Sequence, residues 1–99
     1  MSTRDVYKAE LSRYLAGFGA NVRRVRLAKD ASQEALAHHC RLHRTEVGRI
    51  EQGTVEPRLT TAVILADALG VTVDELVAGL PVPVERKPSP QARPWPLDA

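Results

Sequence analysis

The sequence lacks most of the devices that hold small proteins together. Cys40 is the single cysteine in 99 residues, which excludes a disulfide scaffold. The aromatics are Tyr7, Tyr14, Phe18 and Trp95 alone, so any core must be aliphatic and closely packed. No apolar run approaches the roughly 20 residues that span a bilayer, and the longest, Ala62 to Val71, is interrupted by Asp67. The opening Met-Ser-Thr-Arg-Asp has no apolar segment of the secretory kind. The expected location is therefore the reduced cytoplasm, with no membrane partner. Sustained apolar alternation and Asn-Gly or Asp-Gly hairpin turns are missing, which removes the strand signals. Also missing are a nucleophile spaced from a base and a glycine-rich phosphate loop, and so short a chain has no room for a cleft between domains. Neither an enzyme nor a cofactor is expected.

Apolar residues make up 43% of the chain, too many for a wholly disordered polypeptide. The net charge is +2 at pH 7, a slight pull towards an anionic partner. Its placement says more than its size. Arg23, Arg24, Arg26 and Lys29 crowd one segment, and Arg41, Arg44 and Arg49 a second; the acids Glu51, Glu56, Asp67, Asp74 and Glu75 collect later.

Six of the seven prolines lie between Pro81 and Ala99. Proline fixes φ and removes an amide donor, so neither a helix nor a central strand runs through such a segment. Residues 81–99 are expected to be a Pro-rich, disordered tail, leaving about 80 residues for one small core.

Every earlier segment reads helical. Residues 1–14 form an N-terminal extension, expected as a helix capped by Ser2, after which Gly17 and Gly19 weaken the chain. Phe18, Val22, Val25 and Lys29 then keep helical spacing, so a second helix is expected over about 15–29. Ser32 caps a short helix reaching Cys40. Arg41-Leu42-His43 is a tight turn before a helix over 44–52, which Gly53 ends. A helix over 59–69 stops at Gly70, and Thr72 with Glu75 forms a capping box opening a last helix through about Leu80. The fold class is all-α: a five-helix domain over 15–80, with the possible extra helix before it.

Residues 33–52 carry the functional signal. Leu36, Ala37 and Cys40 share one face of the first short helix, and Val47 and Ile50 one face of the second. Helices this short are unstable alone and must bury those faces together. This is a helix-turn-helix pattern. Opposite Val47 and Ile50 lies an outward stripe of Arg44, Thr45, Gly48 and Arg49. A mid-helix glycine costs about 1 kcal/mol relative to alanine, yet its bare backbone lets a helix sit close to another surface. Arginine pairs bidentately with guanine, threonine touches a thymine methyl, and the major groove admits one helix.

Several stretches together resemble the lambda-repressor-like helix-turn-helix proteins, the Cro/cI or XRE type. They are Val22-Arg-Arg-Val-Arg, Ser32-Gln-Glu-Ala-Leu-Ala, Leu42-His-Arg-Thr-Glu-Val-Gly-Arg-Ile-Glu-Gln-Gly, Pro57-Arg-Leu and Leu65-Ala-Asp-Ala-Leu-Gly-Val-Thr-Val-Asp-Glu-Leu. The resemblance implies a five-helix bundle that binds double-stranded DNA, usually as a symmetric homodimer. It implies that Gln33 anchors a phosphate and braces the recognition helix, and that Arg44, Thr45 and Arg49 read bases. It places His43 and Thr54 against the DNA backbone at either end of that helix, and Arg26 and Glu51 in a structural ion pair. The chain departs from the family pattern at Arg41, which replaces a turn glycine. It departs again at His43, expected to weaken the helix start in place of serine or threonine, and at the poorly basic loop Thr54-Val55-Glu56.

The expected function is a transcriptional regulator, a repressor, reading the major groove with residues 44–52. The alternative is an antitoxin-like or accessory module that holds another protein with its Pro-rich tail, Trp95 serving as anchor, and binds DNA only to regulate itself. His38, His39, Cys40 and His43 have metal-ligand chemistry. However, His38 and His39 point apart and Cys40 falls on the packed face, whereas zinc needs four converging ligands. No metal site is expected, and Cys40 reads as a small buried hydrophobe.

Overall fold

The structure, a computed structural model, describes residues 2–80; the expectations for the tail lie outside them. Five helices follow in order: α1 (Thr3–Ala28), α2 (Gln33–Cys40), α3 (Arg44–Gln52), α4 (Leu59–Leu69) and α5 (Val73–Leu76). There is no strand among the described residues. No helix among them is long and apolar enough to cross a membrane.

The starts are set by side chains that take up free amide N–H groups. Ser2 accepts from the N–H of Asp5, Ser32 from that of Ala35, and Thr72 from that of Glu75, whose carboxylate accepts the Thr72 N–H in return. The ends are set by left-handed residues. Gly53 and Gly70 close α3 and α4 at φ 73° and 71°. Arg41 closes α2 at φ 57°, where a non-glycine residue costs about 1–2 kcal/mol. In all three the following amide reaches back five residues to a free carbonyl: Leu42 to Ala37, Thr54 to Arg49, and Val71 to Ala66.

The core is aliphatic except for Phe18. Val22 and Val25 join it from α1, Leu36, Ala37 and Cys40 from α2, Val47 and Ile50 from α3, Leu65 and Leu69 from α4, and Leu76 from α5. The residues from α1, α2 and α3 are those that the sequence spacing places together, and all five helices share one core.

Two helices expected before residue 30 are instead one. α1 runs unbroken through Gly17 and Gly19, and the reason lies outside it. A Cβ on Gly19 would run into the carbonyl oxygens of Ile50 and Glu51 at the end of α3, and one on Gly17 into the side chain of Leu80. Gly53 in turn lies against the backbone of Ala16. The glycines let α1 cross α3 backbone to backbone, and that packing outweighs their poor helix propensity. Gly19→Ala, a substitution that favours an isolated helix, is therefore expected to destabilise this protein by about 1–3 kcal/mol through overpacking. Urea unfolding checks it as a lower midpoint at unchanged slope.

The last helix is shorter than expected, ending at Leu76 and not near Leu80. The Asn21 side chain on α1 donates to the carbonyls of Leu76 (2.9 Å) and Ala78 (3.2 Å). It thereby takes the acceptors a further turn would use, and Gly79 at φ 77° then turns the chain.

Candidate nucleic-acid interface

α2 and α3 are packed through Leu36, Ala37, Val47 and Ile50, so the opposite side of α3 is left outward. Ala37 is 2% exposed, and its small side chain suits the close approach of the two helices. Arg44, Thr45 and Arg49 are all exposed, and Gly48 is half-exposed between them. One surface depression is lined by Gln33, Arg44, Thr45, Gly48, Arg49 and Gln52, so five of the residues singled out in the sequence meet there. A second depression, on the other flank of α3, is lined by His43, Thr45, Glu46 and Arg49 and by the loop from Val55 to Arg58. Thr54 lines neither. Its hydroxyl donates to the carbonyl of Arg49 at 3.2 Å, closing the end of α3.

The space above Gly48 is open. A Cβ placed there would meet only the Gln33 Oε1, at 3.6 Å, an ordinary contact. Packing within the protein therefore does not demand this glycine.

Beneath the outward face sits a buried polar knot. Glu51, on the inward side of α3, accepts two hydrogen bonds from Arg26 of α1, from Nε at 2.6 Å and from Nη2 at 2.9 Å. Arg26 also donates from Nη1 to the carbonyl of Ala31. Arg26 is 6% exposed and Glu51 8%, so a paired, two-pronged geometry is what makes their burial tolerable. Gln33 joins the knot by donating from Nε2 to Glu51 Oε1 at 3.0 Å. One carboxylate thus ties α1 to α3 and holds the side chain at the start of α2. Burial pushes the Glu51 carboxyl up. The hydrogen bonds from Arg26 and Gln33, with the charges of Arg26 and Arg23, outweigh it and bring the carboxyl below its usual range. The hydrogen bond to Glu51 raises the Arg26 guanidinium above its ordinary value against the pull of burial.

His43 corrects the sequence reading. It does not leave the start of α3 uncapped: its ring Nδ1 accepts the N–H of Thr45 at 3.2 Å and lies 3.1 Å from the Thr45 hydroxyl. An imidazole nitrogen with a free lone pair does here what a serine hydroxyl does elsewhere. Glu46 and Arg49, three residues apart on α3, form no ion pair among the described residues.

Sequence reasoning passed over two residues. Gln52 completes the first depression, and its position four residues after Gly48 was the available signal. Arg58 lines the second depression and stands exposed at the start of α4, where it makes no side-chain cap. Cys40 is buried. Burial, and then the charge of Asp67, push its thiol up, so it is not poised as a reactive thiolate.

The sequence pattern of the helix-turn-helix family matches residues 22–76, from the last two turns of α1 to the end of α5. The chain belongs to the helix-turn-helix family. The XRE-type resemblance drawn from the motifs holds, and this helix-turn-helix protein is a DNA-binding transcriptional regulator. It is 44% identical over 61 residues to the control protein C.BamHI of Bacillus amyloliquefaciens, across 61% of this chain and 75% of that one. Among solved structures, it is 40% identical to the restriction-modification controller protein C.AhdI from Aeromonas hydrophila. That match has a TM-score of 0.62 and covers 63% of this chain and 94% of the controller. A hypothetical transcription factor from Neisseria, NHTF, matches at 36% identity and a TM-score of 0.63, over 65% of this chain and 74% of the other.

Proposed function

We propose that the protein is a sequence-specific repressor that reads double-stranded DNA in the major groove with α3 and acts without catalysis. The observation that carries this reading is the outward stripe of Arg44, Thr45 and Arg49, exposed on a helix whose other flank is clamped in the core. Arg44 and Arg49 address guanine edges and Thr45 a thymine methyl. Gln33, His43 and Thr54 face phosphates, where they set position but not sequence preference. With Nδ1 occupied by the Thr45 N–H, the neutral His43 ring carries its proton on Nε2 and can donate it to a phosphate. The uncrowded backbone at Gly48 allows close approach.

One such unit buries little DNA surface, so specific binding is proposed to require a homodimer, with the two copies of α3 about 34–36 Å apart in successive major grooves. Repression follows from covering a promoter. The likeness to C.BamHI and C.AhdI favours a narrower target, the promoters of a restriction–modification system. A role for residues 81–99 in holding a second protein falls outside the described residues.

Selection of bound fragments from random DNA, at fixed salt, tests the reading. The expected product is an inverted repeat whose half-site centres lie one helical turn apart. A pool without any enriched motif, bound as tightly as the starting mixture, overturns it. The neighbouring genes of the recovered operator decide the narrower target.

A further inference from the structure

α1 reaches well beyond the family pattern, which begins at residue 22. Residues 4–9 are exposed on every side, with Val6 40% and Tyr7 45% accessible. Tyr7, Leu11 and Tyr14 follow at spacings of four and three, and Phe18 continues the stripe into the core. Where the stripe meets the bundle there is a groove of about 380 Å³, lined chiefly by Leu11, Tyr14, Leu15, Leu59, Val73 and Val77. That volume lies within the range of pockets that hold compact ligands, about 300–1,000 Å³. Leu59 is 76% exposed at its rim, a poor position for a leucine with nothing over it.

We propose that this groove is the docking site of the chain's own segment after Leu80, with Trp95 and its flanking prolines as the occupant. The place where the described chain stops argues for it. Leu80 abuts Gly17 of α1, next to Phe18 and about one turn from Tyr14, so the segment sets out beside the groove. Fifteen residues lie between Leu80 and the end of Trp95, enough to reach about 46 Å if extended. Gly17 and Leu11 are six residues apart on a helix, about 9 Å. Pro94-Trp95-Pro96 is a proline-flanked aromatic, and Pro-rich sequences are of the kind that aromatic-lined grooves take up at small entropic cost. Tethering raises its effective concentration to the millimolar range, so modest complementarity suffices. Both parts, the first half of α1 and the segment after residue 80, lie outside the matched family region. The proposal goes beyond the regulator reading and stands without it.

Trp95 is the single tryptophan, so the full-length protein reports on itself. Its emission is expected to be blue-shifted relative to the denatured chain, and its quenching by acrylamide at least halved. Leu11→Glu and, separately, Leu59→Glu are expected to return both readings towards those of the denatured chain while far-ultraviolet circular dichroism stays unchanged. Leu59 is exposed enough that its variant does not depend on refolding the core. Ile64→Glu, exposed on α4 well round the helix from Leu59 and outside the groove lining, is expected to change neither reading. Quenching equal to that of the denatured chain overturns the proposal. So does protection that survives both groove variants, which places the indole elsewhere. Protection that disappears on dilution together with a fall in molecular mass also overturns it, because a second copy is then the occupant.

Discussion

Glu51→Ala is expected to destabilise the protein by about 3–5 kcal/mol, a large fraction of the stability of a domain this size. The loss is not that of one attractive contact. Arg26 would remain buried with its charge opposed only by the carbonyl of Ala31, and an uncompensated buried charge is what makes breaking such pairs so costly. Replacing both partners by apolar residues, Arg26→Met with Glu51→Leu, is expected to recover most of the loss. The paired charges repay their own desolvation and contribute little beyond it. Gln33 would still lose the acceptor that holds it, so stability should return while DNA affinity does not.

Acid should mimic the single substitution. The Glu51 carboxyl is held below its usual value in the folded protein, so the stabilisation it contributes is complete above the unfolded value, about 4.3. It is lost as pH falls below that point through the folded value. Chemical denaturation from pH 7 to pH 3 is expected to show this fall in the parent and a flatter profile in Glu51→Gln. Equal pH slopes in the two proteins would show that the acid sensitivity resides elsewhere.

The second large effect concerns Arg44 and Arg49. Each alanine substitution is expected to cost about 1–3 kcal/mol on the selected operator and to relax the preference at the base it faces. The double variant should lose about 2–6 kcal/mol if the two act independently, which brings binding close to that on scrambled DNA. Lysine is not expected to rescue either position, since it offers a point charge in place of a two-pronged donor. Fluorescence anisotropy at one stated salt concentration, on operator and scrambled duplexes in parallel, measures both. Equal losses on the two duplexes would show that these arginines act only as charges. The exposure of both side chains implies little effect on folding, which separates this result from that at Glu51.

The features legible in the sequence were those decided by neighbours in the chain. Ser32, Thr72 with Glu75, Gly53 and Gly70 mark helix ends because caps act over three or four residues. The inward faces of α2 and α3 follow from apolar spacing alone, and so does the outward stripe on α3. The ion pair of Arg26 with Glu51 joins residues 25 apart and was accessible only through the family resemblance. Gly17 and Gly19 misled because propensity is local. Their reason is the end of α3 and the side chain of Leu80, more than thirty residues away. Asn21 shortens α5 by bonds to residues 55 and 57 positions on, a distance no periodicity reveals. His43 was misjudged because a ring nitrogen is seldom counted among capping groups, although its lone pair suits the task.

The crossing of α1 over α3 has a consequence for how such a regulator is controlled. Gly19 lies on the last carbonyls of α3, and Gly53, just beyond that helix, lies on the backbone of Ala16. Main chain rests on main chain there, with no side chain between to swing aside. A small effector could not tilt the reading head without prising the two backbones apart. On the proposed reading the shape of α3 is therefore fixed, and control is expected to come from how many copies are made and how they gather on an operator.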